Sequence, residues 1–278
     1  MNFRYSDDQR AMEEVMDRVF MDLDGVSMTR RAYSGHPLDR AELAAVARVL
    51  AEQGLFGTFI GEEYGGSGLE LLDVVRVVSR SGARLLPYPL AATLTVLWGL
   101  GQFGTDSQKA RWLPAVADGS AVPTLAVDAL LAPIDLTGEG QHLSAHGGAV
   151  AVPHPDTAAL IAIPARTSSG RGLLILDRED LSLEPQGVWD LAEPSGSLAL
   201  GGQPVAADRF VAFPADGYAD LVALCRILAA ADLNGVMQEA LSRTVDYIKT
   251  RRQFGGPIGR FQALKHTAAA DHVRIVNT

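Results

Sequence analysis

Between Pro123 and Pro214 the chain loses the helical hydrophobic period that marks the stretches on either side of it. Short apolar runs stand there instead, at Thr124–Val127, Ala149–Val152, Ala159–Ile163, Gly172–Leu176, Ser197–Leu200 and Arg209–Phe213, divided by Gly- and Pro-rich turns. Runs of this length, with turn signals but no helical pattern between them, predict an antiparallel β-domain. A doubly wound parallel sheet is excluded, because its strands need helical crossovers.

The flanks read as helices. Ser6 and Gln9 form a capping-box pair, and Met12, Val15, Met16, Val19 and Phe20 then share one helical face. Further helices are expected from about Asp39 to Gly54, from Leu69 to about Ser81, and from Leu90 to about Phe103. A fifth follows the Gly104-Thr105-Asp106 break and carries Trp112-Leu113-Pro114. From about Tyr218 a long helix carries Leu221, Leu224, Cys225, Leu228, Val236, Met237, Ala240, Leu241, Thr244, Val245 and Ile248 on an apolar face. It breaks at Arg251–Pro257, and a last helix from about Pro257 carries Phe261, Leu264, Ala268 and Ile275. Two antiparallel helices cannot bury both flanks without bundle partners. The expected fold class is therefore α+β: an all-α domain over residues 1–120, an antiparallel β-domain over 121–215, and an incomplete, truncated helical bundle over 216–278.

With 24 Lys+Arg against 33 Asp+Glu, the 278 residues carry a net charge of −9 and no block of like charges, which argues against nucleic-acid and anionic-membrane partners. A single cysteine, Cys225, excludes a disulfide framework and a Cys-rich zinc site. The first residues lack the apolar core of a signal peptide, and the longest apolar run, Leu90–Leu100, is too short for a bilayer. A cytoplasmic protein without a membrane span is expected.

Generic catalytic patterns are missing: there is no GxGxxG after a strand, no Walker loop and no GxSxG elbow. His142 and His146 have i,i+4 spacing but lack the intervening Glu of a zinc protease, so no metal site is expected. Arg251-Arg252-Gln253-Phe254-Gly255 is different, because it sets two guanidinium groups, an amide and an aromatic ring at a helix–helix corner. A guanidinium fork suits phosphate oxygens. A helix starting at Pro257–Gly259 would add free backbone N–H groups and a favourable dipole. The competing reading is a helix C-cap whose basic residues complement the dipole.

Three segments carry a family resemblance. Arg251-x-x-Phe254-Gly255-x-Pro257-Ile258-x-x-Phe261-Gln262 resembles the R-x-x-F-G-x-P-I-x-x-F-Q signature of the FAD-dependent acyl-CoA dehydrogenases. Glu62-Glu63-Tyr64-Gly65-Gly66-Ser67-Gly68 resembles their E-E-Y-G-G-S-G loop, and Gly104-Thr105-x-x-Gln108-Lys109-x-x-Trp112-Leu113-Pro114 resembles their G-T-x-x-Q-K-x-x-W/Y-L-P helix. The resemblance implies the α–β–α order and α,β-desaturation of an acyl-CoA thioester. In that reaction a carboxylate removes the α-proton and the β-hydrogen leaves as hydride to flavin. It further implies that Arg251 binds the FAD pyrophosphate across a subunit interface, with Gln253, Phe254 and Gln262 packing near a neighbouring subunit's cofactor.

The departures from the family are equally specific. Thr124–Pro133 stands where members carry a T-E-P-x-x-G-S-D flavin loop, and Gly147–His154 replaces the flavin-contacting W/F-I-T stretch. Cys225 occupies the base position of one family branch. The other branch places its Glu beyond residue 278, with a Q-x-x-G-G-x-G loop. Asp220, Asp232, Glu239 and Asp246 match neither position, so no catalytic residue is assigned. The resemblance thus implies the shortened, non-catalytic chain of a heteromeric, steroid side-chain type dehydrogenase. Its partners would be a full-length catalytic subunit, an acyl-CoA substrate and an electron-transferring flavoprotein as acceptor, with FAD shared between chains, the heterotetramer serving lipid and steroid degradation. A truncated homomeric dehydrogenase and a flavin-free helical partner protein are the alternatives.

Overall fold

The computed structural model describes residues 6–61, 66–67, 69 and 71–277. Among these residues six α-helices precede the strands: α1 (Asp7–Leu23), α2 (Gly25–Tyr33), α3 (Arg40–Glu52), α4 (Leu71–Ala83), α5 (Leu90–Phe103) and α6 (Asp106–Ala117). The capping box at Ser6 forms as expected, and an equivalent one at Thr105 starts α6. Helix α2 was not anticipated. It follows directly on Asp24, which turns the chain through a left-handed φ of 51°.

Eight strands follow: β1 (Pro123–Leu125), β2 (Ile134–Glu139), β3 (His142–Pro153), β4 (Leu160–Thr167), β5 (Gly170–Asp177), β6 (Leu183–Gln186), β7 (Ser195–Ala206) and β8 (Phe210–Phe213). They form one sheet in the order β6-β7-β3-β2-β4-β5-β8, with β1 beside β4. Most pairings are antiparallel, as the short connections require, but β1 and β2 both run parallel to β4. Strands β2 and β6 are additions to the sequence reading. Ile134, Leu136, Ala149, Val152, Ile161, Ile163, Leu174, Leu176, Leu198 and Leu200 fill the core of this sheet.

The last part consists of α7 (Ala215–Thr250), a two-stranded hairpin of β9 (Arg252–Gln253) and β10 (Gly256–Pro257), and α8 (Gln262–Val276). The start expected near Pro257 is corrected. Residues Ile258–Arg260 form a single 3-10 turn, and α8 begins only at Gln262. Along α7 the apolar face is buried at Leu221, Leu224, Cys225 and Leu228, whereas Leu233 and Met237 are exposed and Val245 and Ile248 only half-buried. On α8 only Ile275 is buried.

The chain forms two compact units, one of Met1–Val26, Val75–Leu86 and Ile227–Thr278, the other of Ser27–Val74 and Pro87–Arg226. In the first, Asp17 on α1 takes both Nε and Nη2 of Arg84, at 2.9 and 2.7 Å, and Nε of Arg80 at 2.9 Å. Glu13 pairs with Arg76 one turn away. Helices α4 and α7 cross at glycines: a Cβ on Gly235 would lie 1.7 Å from the Ser79 carbonyl oxygen, and one on Gly82 would lie 2.1 Å from that of Asp232. In the second unit α5 is buried on nearly every side, with Thr93 donating its hydroxyl to the Pro123 carbonyl at 2.8 Å.

Among the described residues, no helix is long and apolar enough to cross a membrane.

Candidate functional site

The Arg251–Gln262 segment folds as a minimal β-hairpin at the end of α7. Arg251 closes the helix through its N–H to the Tyr247 carbonyl at 2.8 Å, and its own carbonyl receives the Ile258 N–H at 2.8 Å. Between the paired Gln253 and Gly256 lie only Phe254 and Gly255, with φ of 51° and 82°. Positive φ at both central residues is what a type I′ hairpin turn requires, and it is the geometry most compatible with strand twist. Gly255 adopts it freely. Phe254 does not, because a bulky side chain in this region is strained.

Phe254 is 83% exposed, and it packs edge-to-face on Phe261 at 6.0 Å between centroids and 82° between planes. Arg251, Arg252 and Gln253 are exposed on the hairpin, and Gln262 is exposed at the first turn of α8. Among the described residues neither Arg251 nor Arg252 has an ion-pair partner, whereas Arg243 and Arg274 are each tied to a carboxylate. The four residues singled out from the sequence, Arg251, Gln253, Phe254 and Gln262, therefore all belong to this short segment. Of the free N–H groups expected at Pro257–Gly259, Pro257 supplies none, and that of Ile258 is bonded to the Arg251 carbonyl.

The other sequence candidates lie apart from any such arrangement. Cys225 is buried, and burial pushes its thiol up, with Thr95 as the neighbouring hydroxyl. It reads as a small apolar side chain. Asp232 accepts from the Ser81 hydroxyl at 3.2 Å, Glu239 pairs with Arg243 at 2.8 Å, and Asp246 lies 3.9 Å from Lys249. His142 and His146 are both exposed on β3. The Glu62–Gly68 loop lies outside the described residues except for Gly66 and Ser67, the latter donating its N–H to the Gly57 carbonyl at 2.8 Å.

Gln108 of the Gly104–Pro114 motif has a structural task. Its side chain closes the capping box with Thr105 and donates from Nε2 to the carbonyls of Asp208 and Phe210, at 2.9 and 3.0 Å.

Two features of the β-sheet escaped the sequence reading. The Asp128 carboxylate accepts from the Val150 and Ala151 N–H groups, at 2.8 and 3.1 Å, clipping the turn after β1 to the end of β3. Thr124 is buried with its hydroxyl donated to the Pro153 carbonyl at 2.9 Å. Next to this clip Val127, Leu131 and Val150 are exposed. Asp128→Ala is expected to cost about 1.5 to 3 kcal/mol, the scale of a charge-assisted bond, read as a lower urea midpoint with an unchanged slope. His154 is the second feature. It is buried at a φ of 48°, with Nε2 2.9 Å from a Glu193 carboxylate oxygen. Its position between Pro153 and Pro155 was the available signal.

These observations test the fit of FAD, the cofactor that the resemblance implies. Two exposed guanidinium groups without an ion-pair partner among the described residues, beside an exposed aromatic ring, suit a phosphate-bearing cofactor. The Thr124–Pro133 segment does not suit a flavin ring, since its Thr hydroxyl and its carboxylate are both satisfied internally and its exposed side chains are aliphatic.

Comparison with known proteins places both ends of the chain in one family. The model of the acyl-CoA dehydrogenase N-terminal domain matches residues 6–120, and that of the C-terminal domain matches residues 220–277. The acyl-CoA dehydrogenase IpdE2 of Mycobacterium tuberculosis is 32% identical over 238 residues, covering 85% of this chain and 63% of that protein. The chain spans 62% to 63% of the length of the curated relatives heading the comparison. Among solved structures, a variant of the Tcur3481–Tcur3483 steroid ACAD superposes with a TM-score of 0.85 at 27% identity, covering 96% of this chain and 74% of that one. A chain of the ChsE4–ChsE5 complex from Mycobacterium tuberculosis gives 0.87 at 24% identity, covering 99% and 76%, and shows the shared fold. With family models matched on both sides of the sheet, over well more than half of its length, the chain belongs to the acyl-CoA dehydrogenase family.

Proposed function

We propose that this chain is the non-catalytic subunit of a heteromeric, FAD-dependent acyl-CoA dehydrogenase, and that its hairpin completes the FAD site of a full-length catalytic partner. The observation that carries this is the contrast within one chain: a built corner whose Arg251 and Arg252 have no ion-pair partner among the described residues, against a Thr124–Pro133 segment closed on itself. Arg251 and Arg252 would donate paired hydrogen bonds to phosphate oxygens of the cofactor. Phe254 would cover an apolar part of it, and the Gln253 and Gln262 amides would supply further donors. FAD, when bound, supplies the hydride acceptor for α,β-desaturation. The α-proton would be taken by a carboxylate of the partner, since the thiol of Cys225 is buried and pushed up in pKa.

The acyl group proposed is that of a steroid side chain. The Tcur3481–Tcur3483 neighbour is named as a steroid ACAD, and it and ChsE4–ChsE5 are both named as pairs. An electron-transferring flavoprotein is the proposed acceptor and a heterotetramer the proposed assembly. The division into domains 1–120, 121–215 and 216–278 belongs to the same proposal.

The test is an absorbance spectrum from 300 to 550 nm on the chain alone and on its complex with a co-expressed full-length family member. A flavin band is expected only in the complex. Arg251→Ala should remove most of it while both chains still co-purify. A flavin band from the chain alone would overturn the proposal in favour of a self-sufficient dehydrogenase. An Arg251→Ala complex with full flavin occupancy would leave only a flavin-free partner role.

A further inference from the structure

We infer that Arg260, at a position the motif leaves unspecified, is the positioning residue of this corner. It holds Phe254 in the left-handed conformation and so presets the hairpin turn that follows Arg251 and Arg252. The inference rests on the reading of the hairpin as a cofactor-facing surface, but its physical content concerns this chain by itself.

Phe254 occupies a backbone region that bulky residues avoid, and residues held there persist only where their surroundings impose it. Three observations identify what imposes it. The Arg260 guanidinium donates from Nη2 to the Phe254 carbonyl. The same guanidinium stands over the Phe261 ring, 5.2 Å from its centroid, and Phe261 is the ring against which Phe254 packs edge-on. Finally, Gly256 leaves the guanidinium its space, since a Cβ there would come within 3.0 Å of Arg260 Nη1. One cation thus ties together the turn carbonyl, the aromatic pair and the second strand of the hairpin.

The three arginines of the segment divide into two kinds. Arg251 and Arg252 have no ion-pair partner among the described residues, and Arg260 is bonded to a carbonyl. A hairpin locked in this way meets an anion without first ordering its own turn, and that cost otherwise comes out of binding.

Selective 13C labelling of phenylalanine in the full chain gives the direct test, paired with flavin retention in the complex. In Arg260→Ala the ring resonances of Phe254 and Phe261 should move toward their unstructured positions, with those of Phe20, Phe56 and Phe213 unchanged. Flavin should dissociate about tenfold more readily, the scale of one lost charge-assisted hydrogen bond. Arg260→Lys keeps a donor and a charge, and Arg260→Gln keeps a donor alone. Each should restore part of the Phe254 shift. Phe254 resonances that do not move in Arg260→Ala would overturn the inference, as would a flavin loss that Lys repairs and Gln does not, because simple charge would then be the cause. If Arg251→Ala leaves flavin untouched while Arg260→Ala still moves the Phe254 ring, the positioning role stands and the cross-chain flavin reading fails.

Discussion

Replacing Gly235 with alanine is expected to destabilise the fold by about 3 kcal/mol, although alanine is the better helix former by about 1 kcal/mol. The two effects have opposite signs, so the experiment decides between them. On an exposed helix the substitution would stabilise. Here the new Cβ would sit 1.7 Å from the carbonyl oxygen of Ser79, a backbone atom in the middle of α4 that cannot rotate away. The helices must part, and the companion contact, where Gly82 meets the Asp232 carbonyl, opens with them. Separation also reaches the bond from the Ser81 hydroxyl to Asp232. Urea denaturation followed by circular dichroism should show a lower midpoint. An unchanged or raised midpoint would mean that α4 and α7 are packed less closely than their glycines imply.

Asp17→Asn is expected to cost about 2 to 3 kcal/mol at neutral pH and to flatten the acid limb of the stability curve. Burial of the Asp17 carboxyl favours its protonated form, but the hydrogen bonds from Arg84 and Arg80 and their charges outweigh this. They hold its pKa at about 2, against an ordinary value of 3.8. The folded-state value lies below the unfolded one. The associated stability is therefore fully present above about pH 4 and is lost as pH falls through the folded value. By linkage that part is about 2 kcal/mol, and the remainder comes from leaving Arg80 and Arg84 partly buried without their acceptor. Thermal melts between pH 2 and pH 7 should show the wild-type midpoint dropping steeply at the acid end, with the variant lower throughout and less steep. Parallel curves would show that the carboxylate contributes through shape alone.

The α–β–α order was legible because it depends on hydrophobic period, which local sequence carries directly. Helix α5 matched its expected limits at Leu90 and Phe103, since an apolar run with a glycine at its end leaves little choice. Helix α2 was not legible. Its first residue is Gly25, present because a Cβ there would lie 2.6 Å from the Arg84 carbonyl oxygen, a demand set by a segment far along the chain. Strand β6 reads Leu183-Glu184-Pro185-Gln186, which has no apolar run. It is a strand because β7 offers it an edge, and an edge strand accommodates proline.

The same division runs through the candidate site. The residue types of Arg251, Gln253, Phe254 and Gln262 drew attention through motif and chemistry. Their setting on a hairpin, with α8 delayed to Gln262, follows from the turn at Phe254–Gly255 and from the bond between Ile258 and Arg251. Arg260 carried no signal, because its importance arises only once the chain folds back on Phe254. The clip made by Asp128 was hidden for a similar reason, as its acceptors' partners lie more than 20 residues away.

The crossing at Gly235 also acts as a fulcrum. From Gly235 to Thr250 the helix α7 extends about 22 Å, with the hairpin carried at its tip. A tilt of about 5° about the crossing would swing Arg251 by about 2 Å at that radius, enough to break the phosphate contact proposed for it. The accuracy with which the corner can be aimed is therefore set well away from it, by how little two backbones can roll where no side chain stands between them.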